Sequence, residues 1–169
     1  MDAQPMGCVI VGVVPGQPDI LLTSAGEFAR RFRVQLVCAH VDRNRSTVDE
    51  HADGLIQALP VGPELAEARE VGFDPLLRAH LAHVLDGRGV AWSTRALAGD
   101  PAHSLARLAR RLDAAMIVVG TREATVKGGI REFFAGSVAV HLAHRQNRPV
   151  VVIPLAPAHS ERELPWDES

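Results

Sequence analysis

Gly120 at one end and Gly136-Ser137 at the other bracket a stretch of this chain suited to holding an anion. The stretch reads VVGTREATVKGGIREFFAGSVAVHL, and Arg122, Lys127 and Arg131 stand between the glycines. A helix starting at Ser137 presents unpaired backbone N–H groups and partial positive charge, and a neighbouring glycine lets a phosphate approach them closely. The same residues also suit a plainer role, with Gly120 ending a strand and Ser137 capping a helix.

The other reactive residue types stand without partners. His80 and His83, like His141 and His144, have the spacing to share a helix face, but neither pair has a third ligand nearby, so no metal site is expected. Cys8 and Cys38 lie inside apolar runs, without CxxC spacing or an adjacent histidine, and read as buried small hydrophobes. No G-x-S-x-G elbow occurs, so a serine nucleophile has no support and the chain is not expected to be an enzyme. An adenine-nucleotide hydrolase or ligase needs a phosphate loop such as SGGxDS after the first strand, which VPGQPD does not supply. A receiver domain needs paired acidic residues there, where Val13-Val14 stand. Trp92, Phe133 and Phe134 fit a core or an interface better than platforms for stacking bases.

These residues must be positioned by the elements around them. The runs 8–14 (CVIVGVV), 34–41 (VQLVCAHV), 114–120 (AAMIVVG) and 149–154 (PVVVIP) are almost wholly apolar, as strands covered on both faces are. Residues 90–97 (VAWSTRAL) are more mixed and suit a strand nearer the sheet's edge. Helix patterns lie between them. Leu21, Ala25, Phe28 and Phe32 recur at helical spacing after Pro18, and Leu76, Leu77, Leu81, Val84 and Leu85 follow Asp74-Pro75. Gly99-Asp100-Pro101 starts another helix, with Leu105, Leu108 and Leu112 on its apolar side, and a last helix runs from near Ser137 to about Arg145. Residues 42–74 read as a loop with at most one partial helix.

Strands and helices in strict alternation demand parallel pairing through right-handed crossovers. The expected fold is therefore α/β: a single doubly wound domain, with a five-stranded parallel sheet in the order 3-2-1-4-5 and helices on both faces. One domain spans 1–169, with a core at 7–154 and a polar tail at 155–169. The 169 residues are 47% hydrophobic and 22% charged, with a net charge of -2, so there is no basic field for nucleic acid or anionic lipid. No stretch is long and apolar enough to span a membrane, and a cytoplasmic protein is expected.

The order of GDP, VVG, GSV and PVVVIP along the chain resembles the universal stress protein family, over essentially residues 7–154. Nucleotide-binding members of that family carry a strand, G-x2-G-x9-G-[ST], a helix and a final PVxVxP strand. The resemblance implies a stress-response binding module whose nucleotide, ATP or AMP, would meet Val41, Gly120, Arg122, Gly129, Gly136 and Ser137. No metal is implied beyond nucleotide-associated Mg. Glu123 stands where the second motif glycine belongs, and the loop is three residues longer, which leaves Gly128 or Gly129 to take that glycine's place. Val14 stands where binding members carry an aspartate that reaches the nucleoside. Weakened nucleotide binding is thus expected, and the alternative is a dimeric interaction module that has lost the nucleotide. The resemblance also implies a homodimer through the 149–153 edge, a strand too apolar to be left uncovered, with further protein partners unidentified.

Overall fold

Valine and isoleucine runs with no polar alternation can be buried only inside a sheet covered on both sides, and that is where they lie. The computed structural model describes residues 7–43, 72–121 and 138–155. Strands β1 (Cys8–Gly12), β2 (Gln35–Asp42), β3 (Trp92–Ala98), β4 (Met116–Gly120) and β5 (Val150–Ile153) alternate with helices α1 (Ile20–Phe32), α2 (Pro75–Leu85), α3 (Pro101–Arg111) and α4 (Val138–Arg145). The strands form one five-stranded sheet in the order β3-β2-β1-β4-β5. Every pairing is parallel, with Val11 opposite Cys38 on one side and Val118 on the other. The expected fold and strand order are both observed.

Side chains of successive strand residues point to opposite faces, and the core divides accordingly. Val9, Val11, Val13, Leu36, Cys38 and Val118 pack with α1 and α2 on one face. Ile10, Val37, Ala39, Ile117 and Val119 pack with α3 and α4 on the other. Both cysteines are free and buried, and burial alone pushes the Cys38 thiol up to about 12. They serve the core as the small hydrophobes their context suggests.

Each strand run shortens or shifts by a residue or two, because its ends turn into loops before the apolar composition changes. Two residues assigned to buried helix stripes lie outside them. Leu76 is 82% exposed, since Leu77, Leu81, Val84 and Leu85 already fill the inward face and Leu76 sits about 100° round from Leu77. Phe32 is likewise exposed at the end of α1, whose buried face is Leu21, Leu22, Ala25, Gly26 and Ala29.

The helix starts differ in how they are held. The Asp74 carboxylate accepts from the N–H groups of Leu76 and Leu77 at 2.8 and 3.2 Å, and Pro75 occupies the first turn of α2. The Asp100 carboxylate accepts from His103 N at 2.8 Å, and Pro101 begins α3. Asp19 precedes α1 without capping it and instead meets His80 Nε2 of α2 at 2.8 Å. Replacing Asp100 by alanine should therefore lower the unfolding free energy by about 1 kcal/mol, the ordinary worth of such a cap. Asp19→Ala, which removes only an exposed contact with His80, should lower it less. Urea unfolding of the two variants beside the wild type checks both.

Candidate functional site at the switch point

In an open parallel sheet, ligand sites lie beyond the carboxyl ends of the strands, where the strand order reverses. Here the reversal falls between β1 and β4. The chain leaves β1 for α1 on one face and β4 for α4 on the other, so the two strand ends part and open a crevice.

The end of β1 is fixed through one peptide group. Val13 N–H donates to Ala39 O at 2.9 Å, and Val13 O lies 2.9 Å from His40 Nδ1, so both polar groups of Val13 face β2. A carbonyl can only accept, which places the His40 proton on Nδ1. The His40 ring also stands edge-on to Phe73, with centroids 6.3 Å apart. Because the peptide is planar and trans, Val14 N–H must point away from Val13 O, toward β4. There it donates to Gln17 Oε1 at 2.9 Å. The Gln17 carboxamide thus stands on the β4 side of β1, in the crevice.

The chain reaches this arrangement through Pro15 and Gly16, whose φ of +74° suits glycine and lets Gln17 fold back three residues. Gln17 is only 9% exposed, and its buried Nε2 has no hydrogen-bond partner among the described residues. A buried donor in that state costs about 1–3 kcal/mol. The Val14 side chain beside it is 54% exposed and apolar. Nothing on that side chain can bond to a ligand.

Across the crevice stands the end of β4. Thr121 N–H donates to Ile153 O at 2.9 Å, and Leu155 N–H donates to Thr121 Oγ1 at 2.9 Å, so the chain leaving β5 is pinned to the tip of β4. This lays the Leu155 side chain over Gly120. A Cβ built on Gly120 would come within 2.5 Å of Leu155 Cδ1 and 2.8 Å of its Cγ. The space left by the first motif glycine is therefore filled from within the chain.

Val41 is half-buried near the end of β2 and packs against the cluster beneath α3 and α4. Its neighbour Asp42 accepts from Gly99 N–H at 3.0 Å, which ties the ends of β2 and β3 together. Of the residues assigned to nucleotide contact, Val41 and Gly120 stand at the carboxyl ends of their strands. Arg122, Gly129, Gly136 and Ser137 lie outside the described residues, as do Lys127, Gly128 and Arg131.

No group of three potential metal ligands occurs among the described residues, and none of their helices is long and apolar enough to cross a membrane. An open groove of about 480 Å³ lies between Ala29, Arg30, Arg33 and Gly89, Val90. It faces the amino ends of β2 and β3, at the far end of the sheet from the crevice.

The fold is that of a doubly wound α/β domain with its switch point between β1 and β4. A model of the universal stress protein family matches residues 9–154, and the chain belongs to that family. Among solved structures, a universal stress protein in complex with cAMP is 19% identical, with a TM-score of 0.59 covering 89% of this chain and 98% of its own. One from Archaeoglobus fulgidus is 22% identical, with a TM-score of 0.58 over 87% of this chain and 98% of its own. Another from that organism, in complex with dAMP, is 20% identical, with a TM-score of 0.55 over 89% and 99%. No curated protein matches the sequence.

Sequence reasoning missed Gln17 and Leu155. A glutamine three residues beyond the apolar run 8–14, across a Pro-Gly turn, was the available signal for the first. Leu155 gave none, because its position depends on how β5 ends. If it fills the Gly120 space, Gly120→Ala should cost about 1–3 kcal/mol, as overpacking does. In a Leu155→Ala background the same substitution should cost much less. A double-mutant cycle in urea measures the difference.

Proposed function

We propose that this universal stress protein is a binding module for adenine mononucleotides, with weakened affinity, and that it acts through partner proteins instead of by turnover. The observation that carries this is the β1–β4 switch point, with Val14 and Gln17 just beyond β1 and Gly120 at the end of β4. Family membership supports it, as do relatives crystallised with cAMP and dAMP. We infer that AMP or ATP would lie with its base toward Val41 and its phosphates toward Gly120, Arg122, Gly129, Gly136 and Ser137, any Mg arriving with the phosphates. The absence of an acceptor on Val14 removes a hydrogen bond worth on the order of 0.5–1.5 kcal/mol, or ~2–13-fold in affinity. Binding survives a loss of that size.

Calorimetry with AMP tests the reading. The wild type should bind measurably below millimolar concentration, and Val14→Asp should bind more tightly, since the exposed site admits a carboxylate without opening the core. Absence of heat in both proteins at millimolar AMP would overturn nucleotide binding and leave an interaction module.

The module would work as a homodimer. Strand β5 pairs with β4 on one side, and Val152 is 44% exposed in the middle of this apolar edge strand. An edge of that kind invites pairing with its own copy across a twofold axis. Val152→Arg is the suitable probe, because Val151 packs against the core beneath α1 and Val152 does not. Sedimentation equilibrium should give a dimer for the wild type and a monomer for Val152→Arg at micromolar concentration. A monomeric wild type would dismiss the dimer.

A further inference from the structure

We propose that the Gln17 carboxamide is the hydrogen-bond donor that meets the sugar of a nucleotide at the switch point, a role resting on the nucleotide-binding reading above. Its orientation is set by the backbone. Val14 N–H can bond only to an acceptor, so the amide oxygen is fixed on it at 2.9 Å and the NH2 group must occupy the other position. The same trans peptide that turns Val13 O toward His40 puts Gln17 on the opposite side, facing β4. Extending the pairing of Val11 with Val118 brings Val14 level with Thr121, so the carboxamide sits where the β1–β4 ladder comes apart.

That NH2 group is buried and has no acceptor among the described residues. Buried donors are almost always paired, and one left open at a switch point is explained most simply by a ligand atom. The atom must be an acceptor. The loop from Val13 to Asp19 carries no cation, and its one charged side chain is the Asp19 carboxylate, held by His80 at 2.8 Å. A neutral hydroxyl oxygen suits such surroundings and a phosphate does not. The sugar oxygen therefore accepts from Gln17, and the missing acceptor at Val14 is answered by a donor three residues later. The polarity of the contact is the reverse of one made by a carboxylate, which could only accept from the hydroxyl.

Calorimetry with AMP on the full chain, wild type against Gln17→Glu, tests this. The carboxylate keeps an oxygen for Val14 N–H, loses the donor and adds a negative charge. Gln17→Glu should bind AMP about tenfold more weakly. With either 2′-deoxy- or 3′-deoxyadenosine monophosphate, whichever lacks the contacted hydroxyl, the gap between wild type and variant should narrow, because only the charge then separates them. A second measurement does not depend on the variant folding. The side-chain NH2 resonance of Gln17, identified in nitrogen-15 spectra by its loss in Gln17→Met, should move on AMP addition. If the wild type binds AMP and Gln17→Glu binds equally well, or the resonance stays still, the Gln17 role is overturned and nucleotide binding stands. A tenfold loss that persists with both deoxy analogues removes the sugar as the acceptor. If the wild type binds no AMP at millimolar concentration, both readings fall together.

Discussion

A buried backbone amide must find an acceptor, and that requirement shapes the functional end of this protein. Strand β1 is bonded on both sides and apolar on both faces, with Val9, Ile10 and Val11 wholly excluded from solvent. Such a strand is satisfied only while its neighbours run beside it. At the switch point β4 parts from β1, and the Val14 N–H is left facing a partner that is no longer there. The chain supplies one from its own loop, the Gln17 carboxamide. Its counterpart on the other side of the same peptide is His40, from β2.

This solution sets the character of the crevice. The Gln17 and His40 side chains bond the two polar groups of one peptide, so the start of the β1–α1 loop is held against β2. The grip uses a carboxamide oxygen and an imidazole Nδ1–H. Hydrogen bonding at the end of β1 is carried by Gln17 and His40, the Val14 side chain being apolar and exposed.

The fold was readable in the sequence because its causes are local and repeated. Four valine-rich runs, a more polar fifth, and the Asp74-Pro75 and Asp100-Pro101 helix starts each follow from chemistry within a few residues. Leu76 and Phe32 were harder. Both are large and apolar and lie close to the periodic stripe, and only the packing of Leu77 in one case and Ala29 in the other decides which side faces in. The site was legible as a location and only partly as a mechanism. Val14, Val41 and Gly120 could be placed at strand ends by composition and spacing. That Gln17 folds back, and that Leu155 reaches β4, depend on two chain segments meeting in space.

Gly120 shows why a motif residue has to be judged by what surrounds it. A glycine at this position can be required because a ligand approaches its backbone, and the family motif is read that way. The same absence of a side chain is required here by Leu155, whose atoms occupy the volume a Cβ would take. Thr121 holds Leu155 in place through a side-chain hydrogen bond, so the contact is part of how β5 ends and not an incidental touch. The two demands are compatible because they fall on different parts of the residue. Leu155 covers the α1-facing side, in line with Val118, whereas the Gly120 backbone between β1 and β5 stays in the plane of the sheet. The lack of a side chain at Gly120 is thus explained by packing alone. Gln17 is different, because among the described residues packing leaves its buried Nε2 without a partner.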